Sequence, residues 1–407
     1  MDIKKIRNDF PTLQGEHSPA YLDNACVTLK PESVLKVIND YYTQTPGCGG
    51  RSVHRYGTKI SKQTSNARIK LQKFLNAKNS NEVVFTRNAT HSLNQVAHGM
   101  KWHEGDVVLT TDREHNSNLV PWLQLEQERG LDHRVVPSFP DNTFDIEAFE
   151  AACADAGDKL KMVSMSQIGN LDGVQVPIKE ITRIAHDFGA LVCVDGAQST
   201  PHMRVDVQDL DIDFLAFSIH KMCGPSGMGG LWGKYELLDN LRTIQSGGQT
   251  IANATYDSIE WAKPPARFEG GLGNFSGMMA TGAAIDYLSS FDMNEVHEHE
   301  IRLNRIMTDG IKDLPGVDII GPENPKLRGG ICSVLMNELP AHDIALLLDE
   351  AAGVMVRSGQ HCVHSWFNSR GFDNGSLRAS AYLYNTEDEA RLFAETFAEA
   401  VHAFSAS

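Results

Sequence analysis

The sequence predicts an α/β protein: a three-layer α/β/α large domain with a mostly parallel sheet, followed by a smaller α+β domain. Three observations lead to this fold class. The chain has 407 residues, more than one hydrophobic core usually supports, so two domains are expected. Apolar runs alternate with amphipathic segments through the middle of the chain, as parallel strands joined by crossover helices do. After the glycine-rich stretch 270–277 this alternation stops, and shorter strands and longer helices follow.

The large domain is predicted from buried strands with helices between them. The strand runs lie at 82–86, 106–111, 133–137, 160–166, 190–195 and 213–218. Helix 62–76 has apolar residues at helical spacing, and helix 177–189 has proline near its start and glycine at its end. Ligands of such sheets bind at the carboxyl ends of the strands. The residues that follow each strand are therefore the candidate site.

The carboxyl-terminal part predicts the smaller domain. Its elements are helices at 294–314, 341–350 and 386–404 and strands at 330–336, 353–357 and 377–384. We expect an N-terminal segment, 1–20, that packs with the small domain, a large domain at 21–290, and a small domain at 291–407 that carries the loop with Cys362.

Composition excludes several classes of function. The formal net charge of −15 argues against a nucleic acid or an anionic membrane as partner, because phosphate binding needs clustered Lys and Arg. No window approaches the roughly eighteen apolar residues of a membrane span, and the polar start M-D-I-K-K-I-R-N-D-F is unlike a signal peptide. Seven dispersed cysteines argue against a disulfide framework. A cytoplasmic protein is expected.

Two charged residues end neighbouring predicted strands. Asp195 closes the run 190–195, where a buried carboxylate needs a cationic or protonated partner. Lys221 follows 213–218 in a Gly/Pro-rich turn, which can desolvate the amine, lower its pKa and suit it to Schiff-base chemistry. Each has an ordinary alternative: Asp195 as a helix N-cap or ribose ligand, and Lys221 as a solvated surface lysine. Their pairing at strand ends favours a site.

Pyridoxal phosphate (PLP) requires such a set: a lysine, a carboxylate, an aromatic ring and donors for its phosphate. The run 82–86 leads into a helix start at which Thr90 and free N–H groups can hold a phosphate, with Ser218 adding a hydroxyl. The run 106–111 leads to His115, which can stack on a ring. For each feature alone, a capping box or a core histidine remains the alternative.

Segments along almost the whole chain match one family in order and spacing. They are Y-L-D-N-A at 21–25, V-F-T-R-N-A-T at 84–90, E-H-N-S-N-L-V-P-W at 114–122, G-N-L-D-G at 169–173, V-D-G-A-Q at 194–198, S-I-H-K-M-C-G-P at 218–225, R-F-E-G-G at 267–271, R-S-G-Q-H-C at 357–362 and L-R-A-S-A-Y-L-Y-N-T at 377–386. The chain resembles the class V aminotransferase group of fold-type I PLP enzymes, and within it the SUF-type (group II) cysteine desulfurases and selenocysteine lyases.

The resemblance implies cofactor contacts for Lys221 (Schiff base), Asp195 (pyridinium nitrogen), Gln198 (phenolic oxygen), His115 (ring stacking and proton transfer), Asn170 (ring and substrate) and Thr90, Ser218 and His220 (phosphate). Ala89 replaces a common hydroxyl residue, and Leu272 replaces a threonine that usually reaches the phosphate from the partner subunit. We therefore expect the phosphate to be held by fewer contacts or in another way. Gln167 replaces a frequent histidine, and His91 replaces a common acidic residue.

The resemblance also implies a reaction. Arg378 would bind the substrate carboxylate through a bidentate fork, with Asn170 and Ala25 near the substrate. Cys362 would take sulfur from L-cysteine as a persulfide and leave L-alanine. Charge or proton transfer for this thiol would come from Arg357, His361 and His364. Members of the family are homodimers with active sites at the subunit interface, and they pass sulfur to an acceptor protein for iron–sulfur cluster assembly or thiolation.

Alternatives remain open. A selenocysteine lyase or another C–S lyase would not need Cys362 for every substrate. A transaminase or a kynureninase-like enzyme would need no nucleophilic thiol. A scaffold protein would keep the fold without turnover. Alone, H-C-V-H at 361–364 suggests a metal site, and Cys26, Cys48 and Cys223 could join Cys362 in binding zinc or an iron–sulfur cluster, or in relaying a persulfide. Without a C-x-x-C pair, no metal site is assigned.

Overall fold

The structure, a computed structural model, describes residues 1–15, 18–336 and 339–405. The strands are β1 (Ala20–Tyr21), β2 (Val83–Thr86), β3 (Val107–Thr111), β4 (Asp132–Val136), β5 (Leu160–Ser166), β6 (Leu191–Asp195), β7 (Phe214–Ser218), β8 (Gly229–Gly233), β9 (Ile251–Ala254), β10 (Ile259–Trp261), β11 (Val317–Ile319), β12 (Ile331–Met336), β13 (Val354–Met355), β14 (Arg357–Gly359) and β15 (Ser376–Ser380).

Helices flank these strands in the order that the sequence predicts. The α-helices are α1 (Ile3–Arg7), α2 (Glu32–Gln44), α3 (Arg55–Phe74), α4 (Ala89–Gly99), α5 (Asn116–Arg129), α6 (Ile146–Ala156), α7 (Ile178–Asp187), α8 (Ser199–His202), α9 (Tyr235–Asn240), α10 (Phe275–Leu288), α11 (Met293–Ile311), α12 (Ala341–Ala352), α13 (His364–Arg370) and α14 (Glu387–Ser405). Short 3-10 helices lie at Pro11–Leu13, Ser80–Glu82, Gly157–Lys159, Ile219–Lys221, Ala266–Phe268 and Pro325–Leu327.

A seven-stranded sheet lies at the centre, in the order β2-β8-β7-β6-β5-β3-β4. β8 runs antiparallel to both of its neighbours, and the other pairs are parallel. The predicted strand runs are confirmed as β2 to β7. The sequence analysis missed β8, because its glycines carry no strand pattern. They are needed there, since a Cβ on Gly229 would overlap the backbone of Asn88 and one on Gly230 would overlap the ring of Phe217.

Helices cover both faces of this sheet. In β3, Val107 and Leu109 point to the apolar core under α3, α6, α7 and α10, whereas Val108 points to a second core under α4 and α5. The two cores follow from the alternation of side chains along a strand that is buried on both faces. The predicted three-layer α/β architecture is therefore confirmed.

The carboxyl-terminal part forms a four-stranded antiparallel sheet in the order β11-β12-β15-β14. Its apolar core includes residues of α11, α12 and α14. The predicted strand 353–357 is divided: β13 pairs with β1, and β14 pairs with β15. Arg7 near the N-terminus binds Glu389 of α14, with 2.7 Å between the guanidinium and carboxylate atoms. The domain limits at 20 and 290 stay predictions.

No helix in the described ranges combines the length and apolarity that a membrane span requires. The seven cysteines all carry free thiols. Cys153, Cys193, Cys223 and Cys332 are buried, whereas Cys26, Cys48 and Cys362 are half-buried.

Candidate active site

A cavity opens at the carboxyl ends of the parallel strands. Residues that follow β2, β3, β5, β6 and β7 line it, together with Arg357 of β14 and Arg378 of β15. The predicted cofactor and substrate residues all face it, namely Ala25, Thr90, His115, Asn170, Asp195, Gln198, Ser218, His220, Lys221 and Arg378. Parallel α/β sheets bind ligands at this edge. The tertiary structure therefore brings the predicted set together.

Lys221 and Asp195 form the charged centre of the cavity. Lys221 ends the 3-10 turn after β7, and Asp195 ends the adjacent strand β6. Burial lowers the pKa of the Lys221 amine to about 8, although Asp195 opposes this shift. Burial also raises the pKa of Asp195 to about 6. The Ala197 N–H, which donates to Asp195 at 2.9 Å, and the charge of Lys221 oppose this rise. A cationic ring nitrogen beside Asp195 would compensate for this desolvation.

Hydroxyl and N–H groups collect at the start of α4. The N-cap Asn88 accepts a bond from the His91 N–H at 2.9 Å, and the Ala89 N–H donates to Ser218 Oγ at 2.9 Å. Thr90 lies beside them on the cavity wall. His220 also faces the cavity, and burial together with the charge of Lys221 lowers its pKa to about 4, so its imidazole is neutral near pH 7. This end of the cavity suits a phosphate.

His115 is the N-cap of α5, and its Nδ1 accepts a hydrogen bond from the Ser117 N–H at 3.0 Å. This contact assigns the ring proton to Nε2. Burial first, and then the charges of Lys221 and Arg357, lower the pKa of His115 to about 3. The neutral ring can stack on a cationic pyridinium without charge repulsion, as the stacking prediction requires.

Arg378 is fully buried and lines the cavity. Its Nη1 donates to the Asn170 carbonyl at 2.9 Å, and its Nη2 donates to Asp23 Oδ1 at 3.1 Å. Asn170 in turn donates through Nδ2 to the His361 carbonyl at 2.8 Å. Arg378 is therefore joined to the loop that carries Cys362.

Two buried polar atoms on the cavity wall, Arg378 Nε and Gln198 Oε1, have no hydrogen-bond partner among the described residues. The other end of the Gln198 amide donates to the Ala25 carbonyl at 2.8 Å. Unpaired buried polar atoms are costly, and a ligand often explains them. With the buried carboxylate of Asp195 and the amine of Lys221, they fit a polar ligand with ionisable groups such as PLP.

Cys362 lies on a strained turn and, unlike the predicted cofactor and substrate residues, is not among the residues that line this cavity. His361 and Cys362 have φ angles of 49° and 61°, the left-handed region that residues other than glycine rarely adopt. The Cys362 carbonyl accepts a bond from the Asn116 N–H at 2.7 Å. Arg357 Nη2 lies 3.9 Å from Cys362 Sγ, and the Arg357 side chain also lines the cavity. Arg357 therefore connects the thiol with the cavity.

The two histidines beside Cys362 have other partners. His361 is buried, its Nε2 lies 2.9 Å from Ser376 Oγ, and burial together with Arg378 holds its pKa well below the usual value. His364 Nδ1 lies 2.9 Å from Asn116 Nδ2. Of the three residues expected to act on the thiol, Arg357 is the one in contact with Sγ.

The additional cysteines lie in different surroundings. Cys26 lines the cavity, and Cys48 is half-buried with its Sγ 3.5 Å from the Gly49 carbonyl. Cys223 is fully buried, and this burial raises the pKa of its thiol to about 12. Within the residues that the structure describes, no group of three or more His, Cys, Asp and Glu side chains is arranged to hold a metal ion. The structure therefore adds no support to the metal interpretation.

The sequence analysis did not single out Ser117 and Ser166, which also face the cavity. Ser117 lies two residues after His115, and this closeness to a predicted site residue is the signal that could have found it. Ser166 is held by Glu114, a fully buried carboxylate that accepts its N–H and its hydroxyl, the latter at 2.6 Å. No sequence pattern indicates this support of β5 by Glu114.

Of the four residues that depart from the family pattern, Ala89 lines this cavity, whereas Gln167, His91 and Leu272 do not. Gln167 lines a separate cavity beside Arg204. His91 accepts the Arg87 N–H through Nδ1 at 3.3 Å, and Leu272 is 77% exposed. Neither His91 nor Leu272 lines the cavity that contains Lys221.

The fold and the cavity define a PLP-dependent enzyme of fold type I, with a lysine and a carboxylate at adjacent strand ends. The family model of class-V aminotransferases matches residues 20–393, and the chain belongs to this family. The resemblance to the class V aminotransferase group is thus confirmed, and PLP is the cofactor of this fold class.

Curated relatives and solved structures agree with this placement. A "Probable cysteine desulfurase" of Streptomyces coelicolor is 37% identical over 96% of this chain and 94% of its own length. A "Cysteine desulfurase" of Haloferax volcanii is 36% identical over 96% of this chain and 94% of its own length. The solved apo structure of a cysteine desulfurase from Thermococcus onnurineus has a TM-score of 0.92 and 33% identity over 98% of both chains. The cysteine desulfurase CsdA of Escherichia coli has a TM-score of 0.90 and 29% identity over 99% of both chains.

Proposed function

We propose that this protein is a PLP-dependent cysteine desulfurase of the SUF type, which converts L-cysteine to L-alanine and keeps the sulfur as a persulfide on Cys362. The relatives named as cysteine desulfurases support the activity. The observation that carries the assignment of the thiol is Arg357, which lies 3.9 Å from Cys362 Sγ and lines the same cavity as Lys221. In this proposal the thiol meets the sulfur of a substrate that is bound in the cavity.

The residues at both ends of the cavity would hold the cofactor. Lys221 would bind its aldehyde carbon, Asp195 its ring nitrogen and Gln198 its phenolic oxygen, while His115 packs on the ring. Phosphate contacts would come from Thr90, Ser218 and His220. When bound, PLP withdraws electrons from the α-carbon of an attached amino acid and so makes its proton acidic.

The remaining work belongs to the protein side chains. Arg378 would bind the substrate carboxylate, with Asn170 and Ala25 closing the wall beside it. The Lys221 amine, whose pKa of about 8 lets part of it be unprotonated near neutral pH, would take the α-proton. The Cys362 thiolate would then attack the substrate sulfur. The C–S bond would break with its electron pair left on the three-carbon fragment, and Cys362 would keep the sulfur. The fragment would receive one proton on its β-carbon, regain one on its α-carbon from Lys221, and leave as alanine.

We further propose a homodimer with its active sites at the subunit interface, transfer of the sulfur to an acceptor protein, and a cytoplasmic location. Thr90 is exposed in the single chain, and Leu272 is 77% exposed within a segment that the family places against the partner subunit. Free thiols accord with a reducing compartment. We also retain the proposed domains 1–20, 21–290 and 291–407.

Mass spectrometry after exposure to L-cysteine tests this function. The wild-type protein should gain one sulfur atom on the peptide that contains Cys362, and alanine should appear. Cys362→Ala should abolish both the modification and most turnover, whereas Cys48→Ala, a thiol outside the cavity, should retain them. Full desulfuration by Cys362→Ala would instead indicate a C–S lyase, and a keto acid product would indicate a transaminase. A preference for L-selenocysteine that does not depend on Cys362 would indicate a selenocysteine lyase.

A further inference from the structure

Two hydroxyl groups meet at the phosphate end of the cavity. Thr90 is the second residue of α4 and Ser117 is the second residue of α5. Their side-chain oxygens lie 2.6 Å apart, and both side chains line the cavity that contains Lys221. The two helix starts thus place one hydroxyl each at the same point, although the residues are 27 positions apart in the sequence.

The first turn of α4 leaves one backbone donor near this point. The Ala89 N–H donates to Ser218 Oγ, and the His91 N–H donates to Asn88 Oδ1, each at 2.9 Å. The Thr90 N–H has no acceptor among the described residues. Because the Ala89 side chain has no polar atom, the hydroxyl donors at this turn come from Thr90 and from outside α4.

The backbone of Ser117 is held in place by His115. Its own N–H donates to His115 Nδ1 at 3.0 Å, which ties Ser117 to a residue that also lines the cavity. The neutral state of the His115 ring keeps Nδ1 available as an acceptor. This bond fixes the backbone of Ser117 in the first turn of α5, and the 2.6 Å contact with Thr90 orients its hydroxyl.

A pair of hydroxyls is a stronger donor than one alone. When one hydroxyl donates to the other, the second proton is free to reach an anion, and the first bond polarises it. A phosphate dianion has several acceptor oxygens that need such donors. We infer that Ser117 is a phosphate-binding residue for PLP, acting as a pair with Thr90 and supplying the hydroxyl that Ala89 lacks. The inference rests on the proposed function, because it assumes that PLP binds in this cavity.

Binding of PLP and of pyridoxal, which lacks the phosphate, to the cofactor-free protein tests the inference. Each dissociation constant is measured by absorbance titration. Ser117→Ala should weaken PLP binding by about tenfold and leave pyridoxal binding unchanged, because the lost bond goes to the phosphate. Ser117→Thr should restore PLP binding. Ser369→Ala, a hydroxyl on α13 that does not line the cavity, is the matched control and should bind PLP as the wild type does.

The results separate this inference from the proposed function. Unchanged PLP binding by Ser117→Ala, or an equal loss for PLP and pyridoxal, would overturn it. If Ser117→Ala does not fold, Thr90→Val tests the same pair, and it too should weaken only PLP. A wild-type protein that binds neither ligand would refute the proposed function itself. If the wild type binds PLP and Ser117→Ala binds it equally well, only the inference about Ser117 is refuted.

Discussion

Replacing Arg378 with lysine should impair recognition of the substrate carboxylate more than it impairs the fold. The guanidinium donates to Asn170 and Asp23 and still has Nε unpaired at the cavity wall. A lysine ammonium can keep one contact, such as the ion pair with Asp23, but it cannot present a planar fork to a carboxylate. A hydrogen bond to a charged group contributes about 1.5–3 kcal/mol, so kcat/KM for L-cysteine should fall by roughly ten- to a hundredfold.

The assay compares two ligands that differ only in the carboxylate. Steady-state kinetics give kcat/KM for L-cysteine, and absorbance titration gives the affinity for cysteamine, which has the amine and thiol but no carboxylate. Arg378→Lys should lower the first and leave the second within about twofold, since one lost hydrogen bond exceeds that range. Arg328→Lys is the matched control, because Arg328 is equally buried but does not line the catalytic cavity.

Two results would refute this reasoning. One is an unchanged kcat/KM for L-cysteine in Arg378→Lys, which would mean that the carboxylate binds elsewhere. The other is an equal loss for L-cysteine and cysteamine, which would mean that Arg378 acts by supporting the cavity through Asn170 and Asp23.

Three further predictions concern titration, backbone geometry and the thiol contact. Because burial lowers the pKa of Lys221 to about 8, covalent uptake of PLP by the cofactor-free protein should speed up as pH rises through 8. The free energy of unfolding should rise between pH 8 and the ordinary lysine pKa of 10.5, because in this range the unfolded chain binds a proton that the folded chain has lost. Stopped-flow absorbance measures the uptake and denaturant titration measures the stability, and a flat profile would contradict the assignment. Gly173→Ala should destabilise the protein by about 3 kcal/mol or more in denaturant unfolding, because the φ of Gly173 is 74° and a Cβ would overlap the Arg328 carbonyl. Gly353→Ala, at a φ of 64° with open space around it, should cost about 1 kcal/mol. Equal losses in the two variants would refute the overlap argument. Arg357→Gln should slow persulfide formation on Cys362 by about tenfold, as a lost charge-assisted contact would, and an unchanged single-turnover rate would show that Arg357 does not act on the thiol.

The sequence alone determined the layered fold and most of the cavity wall. Strands buried on both faces read as short apolar runs, and the parallel order places their carboxyl ends at one edge. Lys221 and Asp195 could therefore be assigned to one site from their positions after two such runs. Antiparallel β8 was missed because its glycines are required by close contacts with Asn88 and Phe217. These residues are distant in sequence, so no local sequence pattern indicates the contacts.

Only the tertiary structure decided which side chains act together. The contact of Arg357 with Cys362, in preference to either adjacent histidine, depends on the pairing of β14 with β15 and on the left-handed turn at His361 and Cys362. The pairing of Thr90 with Ser117 depends on the angle between two helix starts, which sequence spacing does not define. Local propensity fixes a strand or a cap, but a 2.6 Å contact between distant hydroxyls is fixed by the packing of the whole core.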